Sequence, residues 1–451
     1  SNTALGVHSL TANVVNGLVP ATGNVGVSGN KVTGDVTLFK RYYKPGDSFI
    51  YVDNSTTPGS IQEATVAAIT DDIEMYLTND APAEVTNSHY MIGTQIYTRP
   101  DGTFQHRPFD GGVEITAGSS PDSQIIRQTR KYFRYQSGKG IQVSLAINFN
   151  PPRPFLSLTS SANVITGVTE YPHGLSNSSP VQITGSTVEG YNGVHTIASI
   201  PDEFSLTYQT DSNPAGSIAG GFPEYSVEGW ENSAVRAGLF DDQNGLFMEY
   251  DGSDLYAVRR SSTQQIPGRI SARSRSTVIT GTNTRFTSQL SVNDKIVIRG
   301  MTYKIVKISS DTRLTVQPAY RGIDSDNIIA TLTVDTRVPQ NAWNEDVCDG
   351  TGPSGFVLDI KKIQMAYIDY SWYGAGKVRF GFKTTKGRVN YVHSFLHNNR
   401  ITEAYMRSGN VPARYEIENT GPVNYVPSLF HWGTSVIMDG RFDDDKAYQF
   451  T

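Results

Sequence analysis

Between Phe356 and Asn419 apolar residues recur at every second position, and glycine turns divide the run. Val378, Phe380 and Phe382 alternate with Lys377, Arg379 and Gly381, while Val389, Tyr391 and His393 alternate with Arg388, Asn390 and Val392. Phe356–Ile360 and Met365–Trp372 precede them, with turns at Tyr373-Gly374-Ala375-Gly376 and Lys386-Gly387. Period two between turns predicts half-buried antiparallel strands. The same style returns in Ile141–Ile147, Arg236–Phe240, Gly245–Tyr250 and Asp254–Val258, where Asp251-Gly252 supplies a hairpin turn. Together these stretches predict a mainly β chain whose largest part is an antiparallel β-sandwich, discontinuous over residues 104–155, 223–272 and 336–451.

Shorter strands fill the gaps. Residues 156–222 hold Val164–Val168, Val181–Gly185, Tyr191–Ile197 and Glu203–Tyr208 and read as a small inserted β module. Residues 273–335 hold Thr277–Gly281, Lys295–Ile298, Met301–Ile308 and Arg313–Val316, with Arg299-Gly300 as a tight turn, and read as a second one. Insertions at exposed loop tips add little closure entropy. Residues 32–103 form an N-terminal β region with strands at Val36–Phe39 and Phe49–Val52, further strands favoured over a helix from Ile61 to Leu77, and a turn at Arg99-Pro100-Asp101-Gly102. Residues 1–31, rich in Asn, Gly, Val, Thr and Ser, read as an extended arm, with strand addition to a neighbouring subunit as the sharper alternative. Phe104–Gly112 is a connector. One short helix is expected after it: Ser120 as N-cap, Pro121 in the first turn and Asp122 at the positive dipole end. Ile125, Ile126, Thr129, Tyr132 and Phe133 would form its apolar face, and Gly138 and Gly140 would end it.

Composition sharpens this picture. The 451 residues are too many for one simple core. With 42 Gly, 22 Pro and 24 Tyr, strands and turns are favoured over long helices. Charged residues are only 18%, and the net charge of −5 comes without a basic block, which argues against nucleic acid as a partner. One cysteine rules out an intrachain disulfide framework. No apolar run approaches the ~20 residues of a membrane helix, and the opening residues lack the charged-then-apolar order of a signal peptide.

Catalytic chemistry finds little purchase. Cys348 lies between Asp346 and Asp349, which would raise its thiol pKa. His393 and His397 are four apart but fall in a period-two run, and His173 sits in a Pro-His-Gly turn. The acidic clusters are Asp71-Asp72, Asp241-Asp242, Asp324–Asp326 and Asp443–Asp445; Asp324–Asn327 lacks the glycine and distal glutamate of a calcium loop. Asp359 with Asp369, or Glu249 with Asp254, are carboxylate pairs of the kind a glycosidase uses. Trp230, Trp343, Trp372 and Tyr373 at strand spacing suit a core or an interface better than a sugar platform. No residue receives a catalytic, cofactor-binding or metal-ligating role, and the chain is read as a non-enzyme without cofactor.

Several segments carry a resemblance. Phe133–Gly140, His106–Gly112, Ala237–Gly245, Tyr256–Ser262 and Gly376–Phe382 resemble stretches in virion structural proteins of T4-like marine myophages, notably cyanophages. The likeness covers roughly 104–153, 224–270 and 356–439. Tyr171–Leu175 and Tyr191–Gly193 are similar to small β modules of tail proteins. The resemblance implies a virion component located in the tail, at the baseplate or fibre attachment, working by contacts with other virion subunits and with copies of itself. On that view Arg127, Arg130, Arg134, Arg259, Arg260, Arg379 and Arg407 are carboxylate-pairing groups within or between subunits. The alternatives are a tail protein that binds a host surface glycan through residues 156–222 and a polysaccharide-degrading tail spike.

Overall fold

The computed structural model describes residues 18–20, 23–43, 48–53, 60–93, 96–99, 102–107, 111–129, 132–136, 138–169 and 173–438. It is mainly β, and every strand pairing is antiparallel among the described residues. Among the described residues no helix is long and apolar enough to cross a membrane. The chain divides into two compact units: residues 1–118 with 123–130, and residues 119–122 with 131–451.

The first unit contains an eight-stranded sheet. Its strand order is Leu18–Pro20, Tyr90–Gly93, Ser48–Asp53, Ser60–Ile69, Glu74–Leu77, Lys31–Asp35, Asn24–Ser28 and Val85–Ser88. Phe39, Tyr43, Phe49, Tyr51 and Tyr90 pack ring against ring inside it, with Val25, Val27 and Val32 completing the core. Asn24–Ser28 therefore belongs to this unit's own sheet, not to an unpacked arm, because its two inward valines are nearly free of water. Residues 1–17 of the expected arm lie outside the described residues. Strands do occupy Ser60–Ile69 and Glu74–Leu77. At Val36–Phe39 the expected strand is replaced by the end of Lys31–Asp35 and a single helical turn, Phe39–Tyr42. Val36 has a positive φ of 55°, which ends the extended run. Of the expected connector at 104–112, residues 104–107 and 112 belong to paired strands, Gly102–Arg107 against Gly112–Ala117, and residues 108–110 lie outside the described residues.

The expected helix is absent. Pro121 and Asp122 form a turn, and Gln124–Gln128 is a strand paired with Ile96–Arg99. Ile125 and Ile126 are adjacent yet both buried, which a two-faced strand provides and a one-faced helix does not. Their branched Cβ atoms also favour the extended chain. The spacing of Ile125, Thr129, Tyr132 and Phe133 was a coincidence of composition.

The second unit is built on two facing sheets. Its ten main strands are β1 (Ile141–Asn148), β2 (Ser233–Phe240), β3 (Gly245–Tyr250), β4 (Leu255–Gln265), β5 (Ala330–Pro339), β6 (Gln364–Tyr370), β7 (Val378–Lys383), β8 (Val389–Phe395), β9 (Ala413–Asn419) and β10 (Ser428–Met438). One sheet runs β10-β1-β6-β7-β8 and the other β5-β4-β3-β2-β9, with β1 packed on β2. Ile141, Val143, Leu145, Ala366, Ile368, Phe380 and Phe382 of the first sheet are buried, as are Val235, Ala237, Leu239, Leu246, Met248 and Ile417 of the second. Phe356–Ile360, expected as a strand, makes only an isolated bridge, Asp349 to Val357. In β8 a bulge intervenes: Phe380 pairs with His393 but Gly381 pairs with Tyr391. The extra residue, Val392, puts His393 and Tyr391 on opposite faces, against the strict alternation of the sequence.

Two further assemblies extend this unit. Residues 153–226 close into a six-stranded barrel in the order Arg153–Ser161, Val164–Thr169, Ser205–Gln209, Gly193–Asp202, Pro180–Ser186 and Gly221–Ser226. The second assembly grows from the far ends of β4 and β5, whose strand order continues through Lys295–Ile298, Met301–Ser310, Arg313–Gln317, Val278–Thr282, Arg269–Ala272 and Ser325–Ile328. It has a core of its own around Ile279, Phe286, Ile296, Tyr303, Ile305, Leu314 and Tyr320.

Candidate functional site

The outward face of β2, β3, β4, β5 and β9 carries a lattice of buried charge. Ala413-Arg414-Tyr415-Glu416-Ile417-Glu418 alternates, so Arg414, Glu416 and Glu418 share one face while Tyr415 and Ile417 share the other. Register places Glu416, Arg236 and Glu249 side by side across β9, β2 and β3. Arg236 Nε donates to Glu249 at 2.5 Å, and its Nη1 donates to Glu416 and Glu418 at 2.6 Å each. Arg337 reaches the other oxygen of Glu249 at 2.6 Å and lies over the Tyr256 ring. Arg260 forks onto Asp335 through two bonds of 2.8 Å and stacks on Phe247. Arg414 holds Asp242 at 2.8 Å.

Burial alone would lower the Arg236 pKa, but Glu249, Glu418 and Glu416 outweigh it and raise it well above the ordinary value. Burial pushes Glu418 up; Lys295 and Arg236 overcome this and hold its carboxyl well below the usual range. Asp335 follows the same logic, with Arg260 as the dominant opposing charge. In so dry a setting these pairs persist because each charge meets several partners at short range.

Beside the lattice the β2–β3 turn, Asp241 to Asn244, organises an open cleft. Asp241 Oδ1 accepts from the backbone N–H of Gln243 and of Asn244 at 2.8 Å, which locks the turn. Gln243 Nε2 then donates to the Gly300 carbonyl at 2.8 Å, and Asn244 Oδ1 accepts from the Arg407 backbone N–H at 2.8 Å. One short turn thus fixes two rims of a cleft of about 900 Å³, lined by Arg269, Val297, Arg299, Ile329, Thr331 and Arg407 among others. Val297 and Thr331 are paired neighbours and form its floor.

The residues singled out from sequence scatter. Cys348 is buried, and burial followed by Asp346 pushes its thiol up to about 12. His393 and His397 are both buried near Phe395, His393 edge-on to it and His397 stacked on Tyr405. His397 Nδ1 faces the Gly376 carbonyl at 2.7 Å, and burial lowers both histidine pKa values. His173 bonds its own turn, accepting from the Leu175 N–H at 3.0 Å. Asp324 accepts from the Ser274 N–H at 2.7 Å and Asp326 pairs with Arg273. Asp71 and Asp72 accept from backbone N–H groups of Ile73 and Lys40. Asp443–Asp445 lie outside the described residues. Among the described residues no group of three or more His, Cys, Asp and Glu side chains is placed to hold a metal ion.

Of the four carboxylates in the two expected pairs, Asp359, Asp369 and Glu249 are held by cations. Asp369 binds Arg379 and the Tyr391 hydroxyl while Asp359 binds Lys362, and Glu249 is enclosed by two arginines while Asp254 sits in the next turn. Trp230, Trp343 and Trp372 send their indole N–H groups to the carbonyls of Ser233, Val338 and Met406; Trp230 and Trp343 are buried, Trp372 is partly buried and Tyr373 is exposed. Of the arginines, Arg260 and Arg379 pair within the chain, Arg259 donates to Thr336 beside Phe395, and Arg407 is exposed on the cleft. Arg127 and Arg134 also have partners, and Arg130 lies outside the described residues. Sequence reasoning passed over Arg236, Arg414, Glu416 and Glu418. The alternation of 413–418 was the available signal.

No family model and no curated protein matches this chain. Among solved structures it is similar to the phage phi92 endosialidase at 9% identity, over 97% of this chain and 70% of that one, with a TM-score of 0.17. A likeness of that size carries no argument about fold or activity.

Proposed function

We propose that this chain is a structural subunit of a phage virion, placed in a contractile tail at the baseplate or fibre attachment and acting through contacts with other subunits rather than through catalysis. One observation carries the reading. On the 153–226 barrel, Phe222 is 93% exposed, Leu156 65% and Ile218 64%. Leu156 and Phe222 lie on the hydrogen-bonded neighbours Arg153–Ser161 and Gly221–Ser226, and Ile218 bridges Thr159 of the first of them. Large apolar side chains grouped on a rigid, closed barrel are favourable only where another surface covers them. The segments that resemble virion proteins add to this: Ala237–Gly245 and Tyr256–Ser262 hold Asp242 and Arg260, whose charges are taken up by Arg414 and Asp335 inside the subunit. They serve as a stiff support for such contacts.

The test is assembly. Light scattering on the purified chain, and antibody labelling of particles in negative stain, should give an oligomer and a labelled tail. Leu156→Ser with Phe222→Ser should reduce oligomer and particle incorporation while leaving the unfolding midpoint unchanged. A chain that stays monomeric and leaves particles unlabelled would sink the reading. Release of reducing sugar from host polysaccharide would replace it with an enzymatic one.

A further inference from the structure

We infer that the cleft beside the Asp241–Asn244 turn is a binding site for an acidic peptide segment, one whose carboxylates flank an aliphatic side chain. Three guanidinium groups, Arg269, Arg299 and Arg407, line it, and all three side chains are exposed. Six other arginines of this unit find carboxylates, Arg236, Arg260, Arg273, Arg337, Arg379 and Arg414, while Arg259 bonds the Thr336 hydroxyl. The three in the cleft have none among the described residues; Arg269 reaches only the carbonyl of Gly268. No acid is among the residues lining the cleft, and two acids adjoining its elements are committed, Asp242 to Arg414 and Asp326 to Arg273. A concave surface with three unmatched cations concentrates anions, and guanidinium groups match carboxylates in two-pronged geometry.

The rim is held, not merely present. Arg299 keeps a positive φ of 50° at the first position of a hairpin turn, where Asn or Gly is usual, and Gly300 behind it is tied to Gln243. Arg407 is tied through its own N–H to Asn244. Such backbone cost is retained where the side chain has work to do.

The floor decides the class of ligand. It is aliphatic, from Val297, Ile328 and the half-exposed Ile329, with the Thr331 hydroxyl buried and unpartnered beside them. No aromatic ring lines the cleft, so a sugar ring has no platform to stack on. An aliphatic side chain between two acids satisfies floor and rim together. The origin of that peptide, another subunit of the same assembly, rests on the proposed function; the binding chemistry does not.

Fluorescence anisotropy with a labelled Asp-Ile-Asp-Asp-Ile-Asp peptide and the full chain tests this. Binding is expected, weakened by salt and weakened about tenfold or more by Arg269→Ala, Arg299→Ala and Arg407→Ala combined, as several charge-assisted bonds are lost. Ile329→Asp should also abolish it, by placing a carboxylate on the floor. All four positions are exposed, and unchanged urea unfolding of each variant confirms that the fold survives. Equal binding of the Asn-Ile-Asn-Asn-Ile-Asn peptide, or indifference to the triple variant, overturns the inference. So does arginine-dependent binding of a uronate oligosaccharide in place of the peptide. Arginine-dependent peptide binding by a chain that never enters particles would leave this site standing and remove only the virion role.

Discussion

Arg236 and Glu249 face each other across β2 and β3 at 2.5 Å, with 9% and 2% of their side chains exposed. Glu416 and Glu418 close on the same guanidinium from β9. Removing the arginine leaves three carboxylates gathered without their shared cation. Arg236→Met should therefore destabilise the fold by about 3–5 kcal/mol, read as a lower urea midpoint. Adding Glu249→Leu and Glu416→Leu to the same chain should restore a large part of it, since the two most enclosed carboxylates go with their cation while Glu418 keeps Lys295, Arg337 keeps Asp251 and Arg414 keeps Asp242. A triple variant less stable than the single one would show that the lattice contributes more than mutual neutralisation.

Stability should fall with acid in two steps. His393 and His397 have native pKa values below their ordinary 6.5 because burial disfavours the imidazolium. The unfolded chain binds protons first, so stability is lost as pH falls from about 6.5 towards the native values. Glu418 and Asp335 are also held below their ordinary 4.5 and 3.8. Their contribution is present above those values and is lost as pH falls through the native ones. Melting temperatures from pH 8 to pH 3 should show both declines. In His393→Phe with His397→Phe the first should vanish and the second remain.

Strands whose two faces differ in polarity were legible. Val378–Phe382 and Gly245–Tyr250 appear where alternation and an adjoining glycine turn placed them. The misread helix had three-to-four spacing and plausible caps, and the pairing of Gln124–Gln128 with Ile96–Arg99 decides against it. That ladder is non-local, and periodicity within one segment does not report it. The charge lattice is obscured for a similar reason. Arg414, Glu416 and Glu418 read locally as a solvated face, because alternation gives sidedness but not what lies over each side. The cleft draws Arg269, Arg299 and Arg407 from three separate stretches, and no spacing rule unites them.

Gly238 separates Arg236 from Phe240 on the lattice face and pairs with Arg414. A Cβ there would stand 2.3 Å from the Leu246 carbonyl oxygen and 2.6 Å from the Phe247 Cα, both backbone atoms of β3. Neither can retreat without parting β2 from β3. Gly238→Ala should cost about 1–3 kcal/mol by the overpacking route, although it adds only a methyl group. Urea unfolding measures the loss. An alanine variant as stable as the parent would mean that the strands separate more easily than this packing implies.

Cys348 gives the most direct check on the buried interior around β8. Its backbone takes a φ of 54°, its N–H donates to Asp346 at 2.8 Å, and the Asn390 amide approaches its sulfur at 3.9 Å. Asp346, held down at about 2 by Ser354, the Cys348 N–H and Asn390 against the opposing effect of burial, keeps its negative charge beside the thiol. Burial and that charge both disfavour a thiolate, so at pH 8 the native chain holds a protonated, covered sulfur. An Ellman-type thiol reagent should find no reactive group in the folded protein and one after denaturation, matching the single cysteine of the sequence. Asp346→Asn should leave the sulfur covered yet lower its pKa, so any reaction it gains should rise with pH from a lower onset than in the parent. Prompt reaction of the native parent at pH 8 would contradict the packing of this region.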